Sequence, residues 1–94
     1  MFKVENTGPN QLKLTGRLDA AHSERFGDLL VELPAAPDLD MADVKYVASA
    51  GISALVKGYQ HFAERDERIT LRNVQPHVRT VLQYSRLDGL FDFA

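Results

Sequence analysis

The sequence predicts an α/β fold: a mixed β-sheet, mostly parallel, opened by an N-terminal antiparallel hairpin and flanked by helices. Three observations predict it. Segments with apolar residues at every second position take turns with segments whose apolar residues recur every three or four positions, and that succession implies parallel strands joined by helical crossovers. Two alternating segments at the start are separated by Asn6-Thr7-Gly8-Pro9-Asn10, a run of turn formers that suits a hairpin. Finally, an apolar segment ending at Val47 changes abruptly to the helical period after Ser49.

The elements follow in order. Phe2 and Val4, then Leu12 and Leu14, alternate with polar residues as in half-buried strands. Gly16 and Asp19 mark the next turn. Asp19 or Ser23 is placed to cap a first helix with the apolar face Phe26, Leu29, Leu30 and Leu33, and Pro34 and Pro37 end it. Leu39 and Met41 lie in a short strand that Val44 to Val47 continue. The second helix presents Ile52, Leu55, Val56, Tyr59, Phe62 and Ala63 on one face and runs to near Glu64. Ile69, Leu71 and Val74 form a further strand. Pro76 suits the first turn of a third helix, with Val78, Val81 and Leu82 facing inward. Leu87, Leu90, Phe91 and Phe93 make an apolar tail expected to pack back on the sheet.

Composition narrows the function classes. The 94 residues fit one domain, 1–94, with a modest core. Apolar content of 45% and charged content of 26% are ordinary for a globular protein, and a net charge of −2 argues against a general nucleic-acid surface. The absence of cysteine removes disulfides, thiolate metal sites and a Cys nucleophile, and fits a reducing cytoplasm. No run approaches the length of a membrane span, so membrane insertion is not expected.

Ser49 is the residue most suited to chemistry. It is expected at the N-cap of the second helix, where its hydroxyl can accept a first-turn N–H. The free N–H groups and the positive dipole end there favour negative charge, so a phosphate on Ser49 would be well placed. The plain alternative is a cap with no further role. His22, His61 and His77 fall on three different helices with no metal-ligand spacing, and all three are expected at the surface. No cofactor is expected. Val47-Ala48-Ser49-Ala50-Gly51 lacks the first Gly of a nucleophile elbow, and no phosphate-binding Gly-rich loop occurs, so the chain is not expected to be an enzyme.

These residues carry a family resemblance. Asp43-Val44-Lys45-Tyr46-Val47-Ala48-Ser49-Ala50-Gly51-Ile52 resembles the signature of the STAS domain, found in bacterial anti-sigma factor antagonists and in sulfate transporter tails. Thr15-Gly16-Arg17-Leu18-Asp19 resembles the family's early turn, Asn73 to Leu82 its late turn and third helix, and Leu87-Asp88-Gly89-Leu90-Phe91 its ending. The order is right along nearly the whole chain. In the antagonist branch the signature reads apolar-Asp-Ser-Ser/Ala-Gly-apolar, and the Ser after the Asp is phosphorylated by a partner anti-sigma kinase. Here that Ser is Ser49, and Ala48 replaces the Asp.

The resemblance implies a phosphoacceptor at Ser49 and a partner-binding surface of Asp19, Ala48, Ala50, Gly51 and Ser53 around it. It implies a cytoplasmic protein-interaction switch, whose partners are an anti-sigma factor and its serine kinase. Two other roles stay open. One is a constitutive docking subunit of an ABC-type lipid transporter, a role some STAS proteins fill with the same helix. The other is a small-anion or nucleotide sensor using the helix end. For Asp19 helix capping is the alternative, and for Ser53 a plain surface hydroxyl. Gly51 has an alternative too, tight packing at the helix start. Self-association is also left open.

Overall fold

The computed structural model describes all 94 residues. The chain runs β1 (Phe2–Gly8), β2 (Gln11–Leu18), α1 (Ala20–Val31), β3 (Asp38–Val47), α2 (Ser49–Ala63), β4 (Thr70–Arg72) and α3 (Pro76–Tyr84). A single 3₁₀ turn (Asp88–Leu90) then leads into β5 (Asp92–Phe93). The five strands lie side by side in the order β1-β2-β3-β4-β5; β1 and β2 are antiparallel, and every later neighbour is parallel. The expected mixed sheet is therefore present.

Strand order equals chain order, so successive right-handed crossovers place their helices on one side of the sheet. The burial pattern agrees. Leu12 and Leu14 of β2, Leu39, Met41, Val44 and Val47 of β3, and Leu71 of β4 are buried, while the residues between them in β2 and β3, all polar except Ala42, are at least partly exposed. Leu30 of α1, Leu55 and Phe62 of α2 and Leu82 of α3 complete the core with no exposed surface. α1 and α2 approach closely because α2 carries Gly58 at the crossing. A Cβ there would stand 2.9 Å from Leu30 Cδ1 and 3.1 Å from Ile69 Cδ1. No helix is long and apolar enough to cross a membrane.

Several local expectations change. β3 is one strand of ten residues, not a short strand with a continuation. Its buried positions are spaced two, then three and three, because the register shifts twice: Lys13 pairs with Asp40 but Thr15 with Asp43, and Gly16 pairs with Val44 but Arg17 with Tyr46. Each shift puts one extra residue in β3, as in a β-bulge, and breaks the alternation that sequence reading relies on. β4 stops at Arg72, and Val74 lies outside it. Asn73 has φ 56, a left-handed conformation that ends the strand and that Asn tolerates. The apolar tail does return to the sheet, as a fifth strand: Ala94 N–H donates to Leu71 O, and Phe91 is buried against Tyr59. Val81 is 41% exposed instead of buried; Val78 and Leu82, four residues apart, form the inward face of α3 alone. His61 is half-buried, and its Nε2 is fully enclosed with no hydrogen-bond partner. His22 is also half-buried, and only His77 is fully at the surface.

Because β4 is so short, β3 loses its neighbour after Asp40. α3 takes over. Gln75 Nε2 donates to Ala42 O, and His77 Nε2 donates to Lys45 O at 2.8 Å. Two side chains thus satisfy carbonyls that a longer strand would have paired.

Candidate functional site

The site lies where β2 and β3 end and α1 and α2 begin. The two strand ends are tied together by Ala48 N–H donating to Leu18 O at 2.9 Å. Asp19 and Ser49 each follow directly on one of these residues, so the two helix starts lie side by side.

At α2 the structure shifts the expected cap by one residue. Ala48 occupies the N-cap position, with extended φ −77 and ψ 168, and Ser49 is the first helical residue. The first intrahelical bond runs from Ile52 N–H to Ala48 O at 3.0 Å. The N–H groups of Ser49, Ala50 and Gly51 precede it and have no helical acceptor. No side chain caps them. Ser49 is exposed, and its hydroxyl makes no hydrogen bond within the chain; its carbonyl accepts Ser53 Oγ at 3.2 Å. The start of α2 is thus a bare positive dipole end with a free hydroxyl on its first residue.

Gly51 is buried beneath that turn. A Cβ on it would lie 2.8 Å from both Leu18 Cγ and Leu18 O, and 2.9 Å from Val47 Cγ1. Gly51 therefore packs α2 closely onto the two strand ends, and the residues above it are the ones left at the surface.

Those residues form a ridge between two grooves. On one side lies a groove of about 380 Å³ between α1 and α2, to which Ala50 and Ser53 contribute together with Ala20, Ser23 and Lys57. On the other side lies a groove of about 290 Å³, lined by Ala48, Ser49, Tyr46, Ile52 and Val81. Tyr46 is 40% exposed and carries the Arg17 guanidinium 4.4 Å above its ring. Tyr46 and Val81 line this candidate site, a place the sequence did not lead us to expect for either. Val81 follows Val78 by three positions, which is also the core spacing. Tyr46 follows the β3 bulge, where alternation no longer tells outside from inside.

Asp19 occupies the N-cap position of α1 without a side-chain cap bond. Its carboxylate instead accepts His22 Nδ1–H at 2.7 Å. That hydrogen bond is the main reason its pKa lies below the ordinary carboxylate value; desolvation is the next largest influence and opposes it, while the His22 charge and the N–H groups of His22 and Ala21 lower the pKa further. Asp19 O accepts Ser23 N–H and Ser23 Oγ, which makes Ser23 a buried, satisfied hydroxyl. Nowhere do three His, Asp or Glu side chains gather so as to hold a metal ion.

The chain matches a family described as "Mlab, STAS domain" over residues 2–92. No curated protein matches it. Among solved structures it resembles the anti-sigma factor antagonist SpoIIAA in its unphosphorylated form, with TM-score 0.75 and 15% identity over 100% of this chain and 87% of that one. It resembles the phosphorylated form of the Bacillus cell fate determinant SpoIIAA with TM-score 0.73 and 18% identity, over 100% and 91%. A putative anti-sigma factor antagonist from Thermotoga maritima gives TM-score 0.80 at 16% identity, over 98% and 84%. At these identities the likeness is one of fold. Together with the family match along nearly its whole length, it means that this chain belongs to the STAS domain family.

Proposed function

We propose that this protein is a non-enzymatic interaction switch of the anti-sigma factor antagonist type, set by phosphorylation of Ser49 by a partner serine kinase. The observation that carries the reading is the state of Ser49: exposed, first in α2, and free of any capping bond. A capping hydroxyl would be held by the backbone it satisfies; this one is free to enter a kinase site. A phosphoryl group adds roughly −1.5 to −2 charge at neutral pH. It would meet the unpaired N–H groups of the first turn, so the fold should tolerate it. A partner seated on the ridge and against Tyr46 and Val81 would have to desolvate that charge, and binding would weaken. Asp19, Ala48, Ala50 and Ser53 are the proposed neighbours of that contact.

The test is direct. The purified chain is incubated with an anti-sigma serine kinase of its own organism and ATP, and the modified residue is mapped by mass spectrometry. Affinity for the anti-sigma factor is then measured for wild type, Ser49→Ala and Ser49→Asp. Expected are phosphate on Ser49, binding retained by Ser49→Ala, and binding weakened in Ser49→Asp. One observation favours a second reading, a constitutive docking subunit such as one seated on a transporter ATPase. Ala48 stands where the antagonist signature has Asp, so a group that could position the acceptor is missing. Phosphate absent from Ser49, with unchanged affinity in Ser49→Asp, would select that reading.

A further inference from the structure

We propose that β1 is a self-association edge: two copies of this chain pair their β1 strands antiparallel about a two-fold axis at Val4, fusing two sheets into one. The interface is independent of the Ser49 ridge. Edges elsewhere in the sheet are covered or short. β5 has two residues, and the free flank of β3 is covered by Gln75 and His77 at the start of α3. β1 is seven residues long, contains no proline and has no neighbour on its outer side.

The parity of the outer groups is fixed by the hairpin. Arg17 N–H donates to Met1 O, so in an antiparallel ladder the odd residues of β1 bond inward to β2. The N–H and C=O groups of Phe2, Val4 and Asn6 therefore point outward, unpaired. A two-fold at Val4 lets the two Val4 residues exchange both bonds, and Phe2 do the same with Asn6 of the second copy.

The side chains are self-complementary in the same register. Lys3 and Glu5 are both exposed, on the face away from the helices. The two-fold sets Lys3 opposite Glu5 of the second copy, and Glu5 opposite its Lys3, so a lysine that would otherwise guard the edge acquires a partner. On the helix face, Phe2, Val4, Phe26 and Leu29 make the apolar part of a groove of about 230 Å³ that His22 and Arg25 also line, with Phe2 packed edge-on to Phe26 at 5.4 Å. Side chains opposite each other in such a pair lie on the same face, so the two grooves merge into one seam. An isologous contact of this kind closes at two copies and does not propagate. A single strand pair plus a small seam is a modest interface, so the dimer should dissociate on dilution.

The experiment measures mass by sedimentation or light scattering from the low micromolar to the near-millimolar range. Wild type should pass from monomer to dimer, with the amides of Phe2, Val4 and Asn6 gaining protection from hydrogen exchange in the dimer. Val4→Pro, which removes an outward N–H, should be monomeric with an unchanged far-UV spectrum. Lys3→Glu and Glu5→Lys should each be monomeric alone, because each places like charges across the two-fold. Mixed together they should form a heterodimer, since every cross-strand pair is then opposite in sign; this arm does not depend on Val4→Pro folding. A wild type that stays monomeric throughout, or a dimer that survives Val4→Pro and both charge variants, would overturn the proposal.

Discussion

The starts of α1 and α2 are neighbours built on neighbouring strands, and they are solved in opposite ways. Each begins one residue after a strand end, and Ala48 N–H to Leu18 O joins the two. Neither has a side-chain cap bond. At α1 the cap position is Asp19, a carboxylate already held by His22 and already neutralising the positive end of the helix. At α2 the cap position is Ala48, and the end carries no compensating charge. The third helical residues differ too: His22 turns outward to Asp19, whereas Gly51 is pressed onto Leu18 and Val47. One helix start is thus charged and locally satisfied. The other is bare above and clamped below. A phosphoryl group arriving at Ser49 would give α2 the negative charge that α1 has permanently, while the clamp keeps the helix from moving.

The clamp is the part most easily broken. Leu55 sits fully buried on the face that presses α2 to the sheet. Leu55→Ala should cost roughly 2–5 kcal/mol, as for other large-to-small core changes. Lys57→Ala, on the exposed side and paired only with Asp28, should cost no more than about 0.5 kcal/mol. Equal midpoints for the two in urea titrations would mean that α2 does not seat as described. Gly51→Ala comes next. The new Cβ would meet the Leu18 carbonyl, which cannot rotate away, so overpacking of about 1–3 kcal/mol is expected. His22→Ala, at the matching position of α1, should cost clearly less, because nothing packs there so closely. The same titrations compare the pair.

How much of this contrast was legible beforehand follows from what each feature depends on. The helix at Ser49 and the succession of strands and helices rest on periodicity and on Gly, Pro and Asn punctuation, which are local signals, and they could be read directly. The cap assignment missed by one residue. Serine is the better capping residue, so propensity pointed to Ser49, but the bond from Ala48 to Leu18, a contact made across the sheet, sets where the strand ends. Gly51 could be read as making room for a partner or for packing, and only the position of Leu18 decides. Tyr46 and Val81 were hidden by the β3 bulge and by a spacing shared with the core. β5 is too short to carry any pattern of its own.

The contrast in charge can be sharpened by converting one start into the other. Ala48→Asp restores a carboxylate at the cap of α2 and should raise stability by up to about 1 kcal/mol, as good caps do relative to Ala. A gain would confirm that the end is uncompensated in the wild type. The converse acts through pH. The folded-state pKa of Asp19 is lowered, chiefly by its hydrogen bond to His22. Its stabilising contribution is therefore complete above the unfolded-state value, about 3.9 for Asp, and is lost as pH falls through the lower folded value. Asp19→Asn should flatten that part of the acid limb in a thermal-melt series, whereas Ser49→Ala, which adds or removes no titrating group, should leave its shape unchanged.

The smallest expected effect is the most telling. If Ser49 capped α2, replacing it by alanine would cost typically about 1 kcal/mol. In the structure its hydroxyl holds nothing, and alanine is the better helix former at a first-turn position. Ser49→Ala should therefore change stability by no more than about 0.5 kcal/mol in either direction. Chemical denaturation of wild type and variant side by side checks it, with Ser23→Ala as the contrast. Ser23 is buried, and its hydroxyl donates to Asp19 O, so losing it should be measurably destabilising. Two serines near two helix starts would then separate cleanly: one that the fold uses, and one that the fold leaves exposed and available for modification. A full cap-sized loss at Ser49 would show that the hydroxyl is engaged with the backbone in solution, and with that the case for Ser49 as a free phosphoacceptor would fail.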